Sequence, residues 1–280
     1  SSRSFDINTL GFDEITLNEY IDLLNKPNGL ILLNGPTGSG KTTAIYSSLH
    51  YLMGKYGTTM SMASVEDPVE VPLPTVSQAQ LNPAADFTFA AALRALMRQD
   101  PQIIMVGEIR DLETANIAVQ AGLTGHLVIS TVHSGSTAGV FARLINMNIE
   151  PFLLASSILG VLGVRLVRKN CEFCAIPYDP DPRLMKTLSQ EQIDNGSFRR
   201  GEGCAECKET GYSGRISLTE LMKVNEQIRD AVLEKRATGQ IQQIAMNSGM
   251  RTLWDSGIYR VLGGITTLEE VTQKTAADQI

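Results

Sequence analysis

Gly35-Pro36-Thr37-Gly38-Ser39-Gly40-Lys41-Thr42, followed by Thr43, decides the fold of this chain. The stretch matches G-x-x-x-x-G-K-[ST] in full, the pattern of a phosphate-binding loop. Leu30-Ile31-Leu32-Leu33 precedes it, an unbroken apolar run between Gly29 and Gly35. Such a run fits a strand buried on both faces of a parallel sheet. A helix is expected behind the loop, from about Lys41 to Met53. The glycines let backbone N–H groups curl around the β- and γ-phosphates, and the helix N-terminus adds positive potential there. Lys41 supplies a point charge to the phosphate oxygens, and Thr42 offers its hydroxyl to Mg²⁺. The expected ligands are ATP and Mg²⁺; the alternative is a chance glycine-rich turn.

Outward from the loop, strand and helix alternate. Met60 to Val65, Ile103 to Val106 and Leu127 to Ile129 read as further strands. Leu17 to Leu24 and the Ala- and Leu-rich stretch from Phe87 to Arg98 read as helices. That order predicts an α/β fold with a mostly parallel sheet and crossover helices. Phe152 to Val164 is the longest apolar run, too short to span a bilayer, and is expected as a buried helix. Four segments are expected: a linker over 1–28, a core over 29–169, a cysteine-bearing module over 170–215 and a helical subdomain over 216–280. The last should hold three short helices separated by Gly239, Gly249 and Gly263-Gly264.

Hydrolysis of a bound triphosphate needs acids near the loop. The third strand ends in Gly107-Glu108, so Glu108 stands where a carboxylate can reach the Mg²⁺ shell through water. The second strand runs into Glu66-Asp67-Pro68-Val69-Glu70, and one of these acids could polarise the attacking water. Pro68 keeps the segment extended. His133 should lie at the carboxyl end of the fourth strand, within reach of a γ-phosphate. The bland alternatives are a solvated acidic loop and a structural histidine.

All four cysteines of the chain form two knuckles, Cys171-x-x-Cys174 and Cys204-x-x-Cys207, with 29 residues between them. Paired knuckles suit tetrahedral Zn²⁺, and four thiolates leave no open position, so the role would be structural. The alternative is two reduced thiol pairs without metal.

The formal net charge is −6 and the pI about 5.2. A basic excess is the usual footprint of nucleic-acid binding, so no stable nucleic-acid partner is expected. There is no charged-then-apolar leader. A soluble chain is expected, with no direct membrane span.

The ordered motifs resemble the secretion ATPase family of type II secretion and type IV pilus assembly, in its tetracysteine branch. The blocks are Gly35 to Thr43, Val65 to Glu70, Leu93-Arg94 through Pro101, Gly107 to Ala115, and Thr124 through His133. Gly211-Tyr212-Ser213-Gly214-Arg215 and Gly249-Met250-Arg251-Thr252-Leu253 extend the resemblance to the C-terminal part. Ser134-Gly135 and Val164 depart from the usual pattern. The resemblance implies a RecA-like core, Glu108 serving the metal, Glu70 or Glu66 orienting water, and His133 coupling nucleotide state to the sheet. Arg94, Arg98, Arg110 and Arg143 resemble arginines that reach ATP or a neighbouring subunit. It implies a homo-oligomer, a ring of six. It also implies a polytopic inner-membrane platform protein and an accessory cytoplasmic-domain protein as partners. Location would be cytoplasmic, peripheral to the inner membrane through those partners, with the family's N-terminal domains lying outside this chain. The cysteine module resembles that of export and pilus-extension motors rather than retraction motors. A nucleic-acid translocase on the same core, for instance in DNA uptake, and a regulatory nucleotide-binding module are the alternatives.

Overall fold

In the computed structural model the described residues are 5–275. The strands are β1 (Gly29–Asn34), β2 (Met62–Glu66), β3 (Val76–Gln80), β4 (Ile103–Val106), β5 (Leu127–Val132), β6 (Ile158–Asn170), β7 (Ala175–Pro177), β8 (Arg199–Gly201) and β9 (Tyr212–Lys223). The helices are α1 (Glu14–Leu24), α2 (Lys41–Tyr56), α3 (Phe89–Leu96), α4 (Leu112–Leu123), α5 (Gly139–Asn146), α6 (Pro151–Ser157), α7 (Pro182–Met185) and α8 (Gln190–Asn195). The last four are α9 (Glu226–Leu233), α10 (Thr238–Asn247), α11 (Leu253–Leu262) and α12 (Leu268–Thr275).

Seven strands form one sheet in the order β3-β2-β4-β5-β1-β6-β9. Every neighbouring pair is parallel except β6 with β9. The parallel run places the carboxyl ends of β1, β2, β4 and β5 along one edge, where ligands of open α/β sheets bind. Alternate residues face opposite layers. Leu30, Leu32, Val65, Ile104 and Val106 pack against residues of α3 to α6, α9 and α10, including Leu93, Ala118, Phe141, Leu154, Ile228 and Ile241. Ile31, Leu33, Ile103, Met105 and Ile129 pack against α1 and α2 through Tyr20, Leu24, Ile45 and Leu49. No helix among the described residues is long and apolar enough to cross a membrane.

The expected helix from Phe152 to Val164 is corrected: α6 ends at Ser157, and β6 begins at Ile158. A short apolar run reads the same in a buried helix as in a buried strand. Here pairing on both sides decides, with β1 along one edge and β9 along the other. Gly160 and Gly163 suit that crowded site. A Cβ on Gly160 would sit 2.6 Å from Leu23 Cδ1, and one on Gly163 2.8 Å from Thr137 Cγ2. The C-terminal segment has four helices, not three, and Gly239 lies inside α10 rather than between helices; the break between α9 and α10 falls at 234–237. Strands β3, β6 and β9 were not expected. β9 spans the 215/216 boundary, so residues on both sides of the cysteine segment share the central sheet.

α12 is tied to β6 by one buried acid. Glu270 accepts from the Arg168 backbone N–H (3.1 Å), Nε (3.0 Å) and Nη2 (2.6 Å). Burial alone would raise the Glu270 pKa, but the Arg168 bonds outweigh it and lower it below the usual 4.5. A depressed carboxyl contributes stability that is present above its unfolded value and is lost as pH falls through the lower folded one. Glu270→Gln should therefore cost about 1–2 kcal/mol at neutral pH. The cost should shrink below about pH 4, measured by denaturant melts across pH.

Candidate nucleotide site and metal centre

The loop between β1 and α2 stands at the carboxyl edge of the sheet. Gly35 has φ +155°, and a Cβ there would lie 2.5 Å from both the Val164 carbonyl oxygen and Ser39 Oγ, so only glycine fits. Gly40, at φ +100°, precedes the first turn of α2 in the left-handed region and gives it no side-chain cap. The first amides of that helix are therefore left to an external acceptor, the arrangement that binds phosphate. Ser39 Oγ is buried without a hydrogen-bond partner. Lys41 Nζ donates to the carbonyls of Gly35 (2.6 Å) and Pro36 (2.8 Å), curling over the loop. Burial lowers the Lys41 pKa, helped by the Arg165 charge and opposed by Glu108.

A cleft of about 290 Å³ opens above this loop. Thr37, Gly38, Lys41 and Thr42 line one side; Glu66, Asp67, Glu70, Glu108, Arg110 and His133 line the rest. Parallel strand order makes this convergence: Glu66 ends β2, Glu108 follows β4 after Gly107, and His133 follows β5. Gly107 is locked between its neighbours, its N–H donating to the Val65 carbonyl (2.8 Å) and its carbonyl accepting from Thr131 Oγ1 (2.9 Å). Glu108 is held by Arg110 Nε on one oxygen, while His133 Nε2 lies 3.1 Å from the other. The departing Ser134 of the histidine block donates its backbone N–H to Asn34 Oδ1 (3.0 Å), tying the end of β5 to the end of β1.

The two acids of the β2 block have different settings. Glu66 is 3% exposed and accepts from Tyr46 Oη, Ser64 Oγ (2.5 Å) and Gln78 Nε2 (3.0 Å). Glu70 is exposed at the cleft wall. Arg94 forms an exposed ion pair with Glu113 (2.5 Å), and Arg98 and Arg143 are exposed; these three do not line the cleft. Of the predicted arginines, Arg110 alone lines it. Tyr46, Ser64 and Gln78 carried no motif, so the sequence offered nothing to single them out.

The four cysteines converge although two knuckles supply them. Sγ separations are 3.8 Å for Cys171–Cys204, 3.8 Å for Cys174–Cys207 and 3.7 Å for Cys204–Cys207. All four Sγ atoms lie within 4.8 Å of one another. A disulfide needs about 2.05 Å. A tetrahedron of sulfurs about 2.3 Å from a central ion has edges of about 3.8 Å, so the donor set fits Zn²⁺. The backbone N–H groups of Cys204 and Gly211 donate to Cys207 Sγ, both at 3.2 Å, as a thiolate ligand requires.

A phosphate-binding loop after β1, an interior strand of a mostly parallel sheet, defines a RecA-like P-loop nucleotide-binding core. Residues 1–273 match the family model described as type II/IV secretion system protein, and the chain belongs to that family. It is 44% identical over 96% of its length to the type IV pilus assembly ATPase PilB of Thermus thermophilus, covering 30% of that protein. It is 45% identical over 96% of its length to the type II secretion system protein HxcR of Pseudomonas aeruginosa, covering 53% of it. With the type II secretion system ATPase E of Vibrio cholerae it shares 42% identity over 98% of its length and 54% of that protein. The chain thus spans about half, or less, of these relatives. Among solved structures it resembles the pilus retraction motor PilT with bound ADP, with TM-score 0.71 and 26% identity over 98% of this chain and 67% of that one.

Proposed function

We propose that the chain is the ATP-hydrolysing part of a motor that powers type II protein secretion or type IV pilus assembly. The observation that carries this is the convergence of Lys41, Thr42, Glu108 and Glu70 on one cleft at the carboxyl edge of the sheet. Relatives 42–44% identical to this chain carry the names secretion or pilus assembly ATPase, and the resembling PilT structure holds ADP.

In this reading the uncapped start of α2 and the glycine loop hold the β- and γ-phosphates, and Lys41 turns from the loop carbonyls onto them. Thr42 and Glu108 would hold Mg²⁺, which would supply neutralisation of charge on the phosphates. Glu70 orients and deprotonates the attacking water. Glu66 is an anchor rather than the base, because three donors already occupy its carboxylate. His133 and Arg110 exchange partners when a γ-phosphate competes with Glu108 for them, which passes nucleotide state to β4 and β5. Arg94, Arg98 and Arg143 are exposed as residues of a subunit contact would be, and the reading gives them that role in a ring of six. ATP lies between this core and a preceding domain, so closure moves domains as rigid bodies. The partners are an inner-membrane platform protein and an accessory cytoplasmic-domain protein, and the motor works on the cytoplasmic side, peripheral to that membrane. The division at 28, 169 and 215 belongs to the same proposal; residues 1–4 and 276–280 lie outside the described residues.

Magnesium-dependent ATP hydrolysis, measured with and without DNA, tests the reading. Turnover should not need DNA. Glu70→Gln should lower turnover about a hundredfold while nucleotide affinity stays within a few-fold. A Glu70→Gln rate equal to wild type would remove Glu70 from the mechanism.

A further inference from the structure

The segment carrying Glu70 has no regular secondary structure between Asp67 and Pro74. A side chain on such a segment cannot aim a water unless its backbone is held. The structure shows what holds it. Tyr46, on α2 five residues after Lys41, is 1% exposed. Its hydroxyl donates to Glu66 and accepts the backbone N–H groups of Glu70 (3.2 Å) and Val71 (3.4 Å). A phenol hydroxyl has one proton to give and two lone pairs to receive, so this group is fully used. Burial, then the Glu66 bond, pushes the Tyr46 pKa up to about 12, so it keeps its proton at physiological pH. A second clamp comes from β3. Gln78 Nε2 donates to Glu66 (3.0 Å) and to the Val71 carbonyl (3.1 Å), and Gln78 Oε1 accepts the Leu73 N–H (2.6 Å).

We infer that Tyr46, with Gln78 behind it, is the positioning residue of the hydrolytic site: anchored on Glu66, it fixes the backbone at Glu70 and so the direction of its carboxylate. The inference deepens the proposed reading of Glu70 and rests on it. Tyr46 stands on the same helix whose first turn meets the phosphates, so base and P-loop share one rigid body. The Phe5 ring, from the segment ahead of the core, packs against the Tyr46 ring at 5.2 Å between centroids.

The test is a double-mutant cycle on ATP turnover, measured with the full-length protein. Tyr46→Phe keeps the ring and removes the hydroxyl. It should lower kcat about tenfold and leave the ATP KM within about twofold, because bonds to a positioned base act on the chemical step. Placed on Glu70→Gln, it should cost nothing more, since there is no base left to aim. Gln78→Met should lower kcat a few-fold with the same lack of additivity, and it decides the matter if Tyr46→Phe does not fold. Equal losses in both backgrounds, a raised KM, or an unchanged kcat would overturn the inference. If Glu70→Gln alone turns over normally, the reading beneath it fails. If Glu70→Gln collapses while both clamp variants are normal, only the positioning role fails.

Discussion

Lys41→Ala is expected to lower ATP turnover about a hundred- to a thousandfold. The loop is built around that amine. Its Nζ sits on the Gly35 and Pro36 carbonyls, and the residue is 9% exposed, at the mouth of an uncapped helix. Burial lowers its pKa, only partly offset by the Glu108 charge, with Arg165 adding to the lowering, so the pocket holds the cation at some cost until a further anion arrives. A triphosphate supplies that anion. Alanine leaves the backbone amides in place but removes the charge that meets the phosphate oxygens as they gain charge in the transition state. Lys41→Arg should not restore the rate, because a planar guanidinium cannot replace a compact ammonium in this space. The check is steady-state hydrolysis together with nucleotide binding. Turnover near wild type in Lys41→Ala would place the reaction elsewhere.

Removal of the zinc proposed for the four cysteines is expected to have the second large effect. Between residues 172 and 210 the buried side chains are few, Pro180, Leu188 and Cys207 among them. That is too little apolar area to hold a segment of loops and short helices by itself. Structural zinc in small modules contributes about 10 kcal/mol or more. The chain should therefore bind about one Zn²⁺, and chelation should unravel this segment while the sheet persists. The single Trp254 reports on it: it packs with Leu184, Met185, Ile193 and Phe198 against the core of β6, β9, α11 and α12. Chelator or Cys207→Ser should shift its emission and open 172–210 to protease. A metal content near zero in protein purified without chelator would defeat the assignment, as would an unchanged digest after stripping.

The position of the cleft was legible because each of its parts sits in a short local pattern at the end of a strand. Gly35 to Thr42 is a local motif, and the acids and His133 each follow a recognisable strand. The cysteine knuckles were legible for the same reason: two ligands three apart already make half a site. Between Ile158 and Val164 the pattern misled, since total burial erases periodicity and long-range pairing with β1 and β9 chose the strand. Gly239 does not separate two helices because one glycine costs a helix only about 1 kcal/mol, which packing of Ile241 and Ala245 in α10 outweighs.

Residue type and short spacing thus determined the α/β class, the phosphate loop, the candidate acids and the tetracysteine set, because each is a property of covalently near residues. Tertiary structure alone decided which acid of the cleft is buried and bonded and which is exposed, and that Arg110 lines the cleft while Arg94, Arg98 and Arg143 do not. It also brought Tyr46 and Gln78 to Glu66. Those outcomes depend on strand order and on hydrogen bonds between groups 12 to 25 positions apart, which no local pattern encodes.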